Sequence, residues 1–179
     1  YKLTELDDTE HLFRPGMNVA DLGSAPGSWT QIVRERLTDK NGELKGRIIA
    51  MDILPMEPID GVTFLQGDFR EQEVADKLNE ILGGDKLDVV ISDMAPNLSG
   101  IAMVDANASL LLNELALDFA VEHLKPEGVF VTKAFQGSGY SQFIENCKKH
   151  FVSVAQRKPE ASRNSSAEMY VVARRLKNK

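Results

Sequence analysis

The sequence predicts an α/β protein with an open, mostly parallel sheet covered by helices. Seven strand-like runs recur along the chain, and most are separated by stretches with helical spacing. The last two runs are joined by only KPEASRNSSA, which is too short for a crossover helix, so these strands are expected to pair antiparallel at one end of the sheet. The runs are MNVADL, GRIIAMDIL, VTFLQGD, LDVVISDM, GVFVTKAF, FVSVAQRK and EMYVVARR.

Helices are predicted between these strands. In REQEVADKLNEILGG, residues 70–84, four apolar residues recur at helical spacing and two glycines supply a stop. Asp105 is expected to cap a long helix that runs to Leu124, where LKPEG ends it. In GYSQFIENCKKHF, Cys147 falls on the apolar side with Phe143 and is expected to lie in the core.

Composition indicates one soluble domain over residues 1–179. The chain is 42% hydrophobic and 27% charged, and no apolar run approaches the roughly 20 residues of a membrane span. A single cysteine and three scattered histidines lack metal-ligand spacing, so no metal is assigned and the reducing cytoplasm is the expected compartment. The chain opens at Tyr1 rather than at methionine, so a preceding segment is expected to be missing.

The net charge of −6 is unevenly distributed. Residues 1–132 hold 11 Lys and Arg against 24 Asp and Glu, whereas residues 133–179 hold 10 against 3. A basic C-terminal quarter is typical of a phosphate-binding surface, although a solvated basic face gives the same pattern. The candidate phosphate contacts are Lys148, Lys149, Arg157, Lys158, Arg163, Arg174 and Arg175.

Polar or glycine residues follow five consecutive strands, at the edge where an open α/β sheet binds its ligands. An acid at one strand end is more often a turn or cap residue, but the joint placement indicates a site. The residues are the turn at 23–27 after the first strand, then Asp52, Asp68 and Asp93 after the next three, and Lys133 late in the fifth.

The turn DLGSAPGSW, residues 21–29, lets a ligand approach the backbone closely, and the helix after it would offer unpaired N–H groups. It lacks the G-x-G-x-x-G spacing of dinucleotide turns and the second glycine and lysine of phosphate P-loops. Asp52 is placed to accept hydrogen bonds from a ribose diol. The pattern therefore indicates a nucleoside cofactor without a pyrophosphate.

Several segments together carry a family resemblance: DLGSAPGSW, DILPMEPIDGVTFLQGDFR, SDMAPNLSG, KAFQG and KPEASRNSSAEMY. In this order they resemble the FtsJ family of S-adenosylmethionine-dependent ribose 2′-O-methyltransferases, over nearly the whole chain. The sequence most resembles the bacterial members that methylate a uridine ribose in 23S ribosomal RNA. This implies a Rossmann-like sheet of seven strands with an antiparallel last strand and helices on both faces. It also implies S-adenosyl-L-methionine as cofactor, and a monomer acting on ribosomal RNA within the large subunit.

The resemblance also implies site residues. Asp52 would bind the ribose hydroxyls of the cofactor, and Asp68 the adenine amine, which suits a carboxylate because that group only accepts hydrogen bonds. Asp93 would lie near the methionine portion of the cofactor. The other implied cofactor contacts are Gly23, Pro26, Gly27 and Trp29, and the implied catalytic residues are Lys2, Asp93, Lys133 and Glu168.

Lys133 is the residue expected to take the proton of the ribose hydroxyl. Burial and a second cation such as Lys2 favour its neutral amine, whereas Asp93 and Glu168 oppose this effect and orient the side chain. Alternatively, Lys133 stays charged and stabilises a developing alkoxide. The sequence leaves both roles open.

Other functions also remain open. Family members act on transfer RNA, and a ribosome-assembly factor that has lost catalysis would keep the motifs, although intact Lys133 and Asp93 argue against it. A small-molecule methyltransferase would need a closed apolar pocket, which the basic quarter disfavours. The basic segment that the family carries before Lys2 is absent from this sequence, and Tyr1 and Tyr140 are candidate stacking platforms for RNA or ordinary packing residues.

Overall fold

The computed structural model describes residues 2–94, 102–158 and 167–177, with the backbone alone for residues 102–106. Seven strands and five helices lie within these ranges. In chain order they are Lys2–Glu10 (α1), Asn18–Leu22 (β1), Ser28–Leu37 (α2), Arg47–Asp52 (β2), Val62–Gln66 (β3), Gln72–Leu82 (α3), Leu87–Ser92 (β4), Ala102–His123 (α4), Leu124–Phe135 (β5), Tyr140–His150 (α5), Phe151–Arg157 (β6) and Glu168–Leu176 (β7).

The strands form one sheet in the order β3-β2-β1-β4-β5-β7-β6. The pairs β1–β2, β1–β4, β2–β3 and β4–β5 are parallel. Strand β7 runs antiparallel to both of its neighbours, β5 and β6. The prediction of a mostly parallel sheet with an antiparallel last strand is confirmed. The carboxyl ends of β1 to β5 and the amino end of β7 therefore meet at the same edge.

Helices cover both faces of the sheet, as predicted. Residues of α3, α4 and α5 pack against one face, and residues of α1 and α2 pack against the other. In β5 the side chains alternate between these layers, with Phe130 in the first cluster and Val129 and Val131 in the second. Central strands buried on both faces explain why β1 and β4 read as nearly continuous apolar runs.

Two predicted helix features are confirmed and one is wrong. Helix α3 ends where expected, with Gly83 in the left-handed region at φ 58° and its N–H donating to the Asn79 carbonyl. In α5, Cys147 is fully buried in the core. Asp105 does not cap α4, because the helix already begins at Ala102 and Asp105 lies about one turn inside it.

Helix α1 was not predicted, and it is anchored at its carboxyl end by two acids. Asp7 is buried, and its Oδ1 accepts hydrogen bonds from the N–H groups of Leu12 and Phe13, 2.7 and 3.0 Å away. Glu10 accepts from Arg157 Nε on β6 at 3.0 Å, and its carbonyl accepts from Arg174 Nη2 on β7 at 2.5 Å. These contacts seat α1 across the two C-terminal strands.

Of the helices in the described ranges, none combines the length and apolar character needed to cross a lipid bilayer.

Candidate active site

The turn after β1 is held by the end of β2. The N–H groups of Gly23 and Ser24 donate to the Met51 carbonyl at 2.8 and 3.2 Å. The N–H of Ala25 donates to Asp52 Oδ2 at 2.8 Å, and the other oxygen of Asp52 accepts from the Leu54 N–H at 3.0 Å. Asp52 therefore lies beside the turn, and each of its oxygens keeps a lone pair for a ligand hydroxyl.

Two glycines in this turn are required by its geometry. Gly23 and Gly27 have φ of +71° and +120°, where residues with a Cβ are strained. A Cβ on Gly23 would lie 2.4 Å from Met94 Cγ, and one on Gly27 would lie 3.1 Å from Ile59 Cδ1. The turn thus keeps its backbone bare at the start of α2, as the sequence predicts for a ligand that lies against it.

Asp21 is a buried carboxyl in this region for which the sequence predicts no role. Thr30 Oγ1 donates to Asp21 Oδ2 at 2.6 Å. Within the described part of the chain, neither Asp21 Oδ1 nor Ser24 Oγ has a hydrogen-bond partner. Complete burial raises the pKa of Asp21 to about 7, partly offset by the Thr30 hydrogen bond and reinforced by nearby Asp93 and Asp52. The sequence feature that could have indicated Asp21 is the presence of an acid inside the apolar run MNVADL.

The sheet register brings the predicted catalytic residues to one face of the edge. Lys133 on β5 lies opposite Tyr170 on β7, and Phe135 lies opposite Glu168. Paired residues of neighbouring strands project from the same face, so these four side chains share the face that α1 covers. Asp93 follows β4 directly, and its carboxylate forms an ion pair with the Lys133 ammonium.

A second ion pair lies beside the first. Lys2 Nζ on α1 donates to Glu168 Oε1 at 2.6 Å, and the same oxygen accepts from the Tyr170 hydroxyl at 3.1 Å. Two carboxylates and two ammonium groups therefore meet where α1, β4, β5 and β7 converge. The four predicted catalytic residues come together. Tyr170, which the sequence did not indicate, joins them because it lies two positions from Glu168 on β7 and so projects from the same face.

The environments of the two acids shift their pKa values in opposite directions. Burial raises the pKa of Asp93, although the hydrogen bond and charge of Lys133 oppose the shift. Burial also acts to raise the pKa of Glu168, but the hydrogen bond from Lys2 and the positive charges of Lys133 and Lys2 outweigh it, and the net pKa lies below the usual range. Asp93 is thus the better proton acceptor of the two at neutral pH.

The remaining predicted cofactor residues lie in varied surroundings. Asp68 follows β3 and is held by the Arg70 guanidinium, whose Nε lies 2.9 and 3.0 Å from its two oxygens. This hydrogen bonding lowers the pKa of Asp68. Trp29 is buried under the turn with its ring 5.9 Å from that of Tyr170, and Pro26 follows a cis peptide bond.

Part of the basic C-terminal quarter is paired within the protein. Arg157 and Arg174 both contact Glu10, and Lys158 Nζ donates to the Glu168 carbonyl at 2.9 Å. Tyr140 donates its hydroxyl proton to Gln156 Oε1 at 2.7 Å. Two residues predicted at the RNA surface, Tyr1 and Arg163, lie outside the described ranges.

Known proteins resemble this chain in sequence over nearly its whole length. Two bacterial proteins named ribosomal RNA large subunit methyltransferase E match 99% of this chain over 84% of their own length. The protein from Bordetella petrii is 54% identical, and that from Cupriavidus necator is 52% identical.

Solved structures show the same fold. A crystal structure from Plasmodium falciparum, designated a ribosomal RNA methyltransferase, is 32% identical with a TM-score of 0.85, covering 98% of this chain and 95% of that one. Human methyltransferase-like protein 13, solved with SAH, shares the fold at 17% identity and a TM-score of 0.64, covering 99% of this chain and 80% of that one. The FtsJ-like methyltransferase family matches residues 1–176, and the chain belongs to that family.

Proposed function

We propose that this protein uses S-adenosyl-L-methionine to methylate the ribose 2′-hydroxyl of a uridine in large-subunit ribosomal RNA. The observation that carries the proposal is the pairing of Lys133 with Asp93 and of Lys2 with Glu168 at one edge of the sheet, in a member of the FtsJ-like family. The names of the relatives, with 52% to 54% identity over almost the whole chain, support ribosomal RNA as the substrate.

The residues around the first turn fit the cofactor. Asp52 offers acceptor lone pairs to ribose hydroxyls, and Gly23 and Gly27 leave the backbone of the turn without side chains. The buried polar atoms of Asp21 and Ser24, unpartnered among the described residues, suit the polar end of such a ligand. When bound, the cofactor supplies a methyl group activated by a positively charged sulfur.

The chain's own residues then prepare the hydroxyl. The Lys133 ammonium must release a proton to solvent before its amine acts as a base, and the ion pair with Asp93 holds the side chain in place. The amine takes the hydroxyl proton as the ribose oxygen gains its methyl group. Glu168 holds Lys2 close by through a hydrogen bond from its ammonium group. Holding the reactants in line contributes much of the remaining acceleration.

The direct test supplies methyl-labelled S-adenosylmethionine with large ribosomal subunits, free ribosomal RNA or transfer RNA, and then maps the label. We expect an alkali-resistant linkage at one uridine of the large-subunit RNA. Label in transfer RNA would instead support the second family activity. Binding to subunits without any transfer would support an assembly factor and contradict the proposal.

The basic C-terminal surface is expected to contact RNA phosphates. Reversing two charges, with Arg157→Glu and Lys158→Glu, should weaken RNA binding. The slope of log Kd against log salt concentration should also fall by about 0.7 for each phosphate that the variant no longer neutralises. Filter binding from low to moderate salt measures both quantities. Lys77→Glu on α3 is the matched control, and a double variant that binds with the wild-type salt slope would remove both residues from the interface.

A further inference from the structure

Phe135, the last residue of β5, is an aromatic side chain left open at the rim of the site. Its exposed fraction is 39%, and among the Phe, Tyr and Trp residues in the described parts of the chain it is the one that is exposed. Three apolar residues that precede it on the same strand, Phe130, Val131 and Ala134, are at most 1% exposed. Strand β5 is thus largely buried just before Phe135, and at Phe135 it exposes an aromatic ring at the rim of the candidate active site.

The ring lies beside the amine proposed to act on the substrate. Phe135 and Lys133 are two positions apart on one strand, so they project from the same face, and Lys133 Nζ is 5.9 Å from the ring centroid. Glu168 lies opposite Phe135 in the register. The rim therefore offers an open aromatic ring next to the two ion pairs.

The chemistry of a ribonucleotide matches this arrangement. The 2′-hydroxyl and the base are attached to adjacent ribose carbons, so a hydroxyl held at Lys133 places its base within reach of a ring next to that amine. Unstacked RNA bases commonly stack on aromatic side chains, and the interaction tolerates any base because every base has a π-face. A ring at this distance also keeps a favourable contact with the lysine cation.

We propose that Phe135 is the stacking platform for the base of the nucleotide whose ribose is methylated. The proposal rests on the proposed function, because it takes the reacting hydroxyl to lie at Lys133. Phe135 acts as a positioning residue: it holds the unstacked nucleotide over the site and does not select the identity of the base.

The binding experiment places a reporter at the platform. In Phe135→Trp, single-stranded oligouridylate is expected to quench an emission component that the wild type, which has only Trp29, does not show. An abasic ribose-phosphate chain of the same length should leave this component unchanged. Equal quenching by both chains would overturn stacking, because it would show a response to the backbone alone.

Kinetics with large ribosomal subunits supply the second readout. Phe135→Ala should raise the KM for RNA about 10-fold with an unchanged Kd for S-adenosylmethionine. Phe135→Tyr should restore the KM and Phe135→Leu should not, whereas Val152→Ala, which removes an exposed apolar side chain on β6, should have no effect. Full rescue by Leu would reduce the role of Phe135 to apolar packing and overturn the proposal.

These outcomes separate the platform from the chemistry. Quenching by oligouridylate requires no methyl transfer, so a chain that stacks bases but leaves subunits unlabelled would contradict the proposed function and not the platform. If Phe135 acted only through Lys133, its variants would move the pH profile of the single-turnover rate at saturating RNA. We expect that profile to stay unchanged.

Discussion

Replacing Lys133 with Ala is expected to lower the rate of methyl transfer by about 100- to 10,000-fold, the usual contribution of a positioned general base. The amine pairs with Asp93 at the point where four elements converge, and the neighbouring ammonium group of Lys2 is held by Glu168. Single-turnover transfer to large ribosomal subunits, with both reactants saturating, measures the chemical step without contributions from binding.

The base and charge-stabilising roles of Lys133 can be separated with Arg. Lys133→Arg keeps a positive charge but cannot accept a proton, so we expect it to be as inactive as Lys133→Ala. The cofactor Kd, measured by calorimetry, should stay within about twofold for both variants, and the wild-type rate should rise with pH. Substantial activity in the Arg variant would support alkoxide stabilisation instead.

Asp21→Asn is expected to remove a large pH dependence from the stability of the ligand-free protein. The native state keeps a proton on Asp21 up to a pKa of about 7, whereas the unfolded chain loses it near pH 3.9. Between these values the unfolded state binds fewer protons, so the free energy of unfolding falls as pH rises. The contribution, fully present below about pH 4, is lost by about pH 7 and amounts to about 4 kcal/mol.

Urea unfolding followed by Trp29 fluorescence at pH 4.5, 6 and 8 tests this expectation. The stability of the Asn variant relative to the wild type should increase steadily across the series, because the amide does not titrate. Asp118→Asn, which changes an exposed acid on α4, is the control and should run parallel to the wild type. Parallel curves for Asp21→Asn would show that the buried carboxyl is already ionised in the native state.

The sheet could be predicted because each strand carries its own local signal. Period-two and continuous apolar runs identified all seven strands, and the ten-residue link before β7 excluded a crossover helix. Because parallel strands end at a common edge of the sheet, the sequence alone predicted that Asp52, Asp93 and Lys133 lie at the same edge. The start of β5 was predicted four residues late because Pro126 and Gly128 resemble a turn, yet the strand begins at Leu124.

The parts that could not be predicted depend on distant pairing. Helix α1 has a weak apolar pattern, and its position depends on Leu3 and Leu6 joining the core on that face of the sheet and on Glu10 meeting two arginines. Arg157 lies 147 positions from Glu10, so its sequence neighbourhood suggested only a phosphate contact. Likewise, the role of Lys2 came from family resemblance, because nothing local indicates that it faces Glu168.

The hydrogen bond between Lys2 and Glu168 joins residues 166 positions apart. During translation, the first of these emerges from the exit tunnel long before the second has been synthesised. A nascent chain therefore lacks one of the two ion pairs of the candidate active site. It gains that pair only when β7 has folded between β5 and β6. If the proposed function is correct, a growing chain gains its activity only after β7 has joined the sheet.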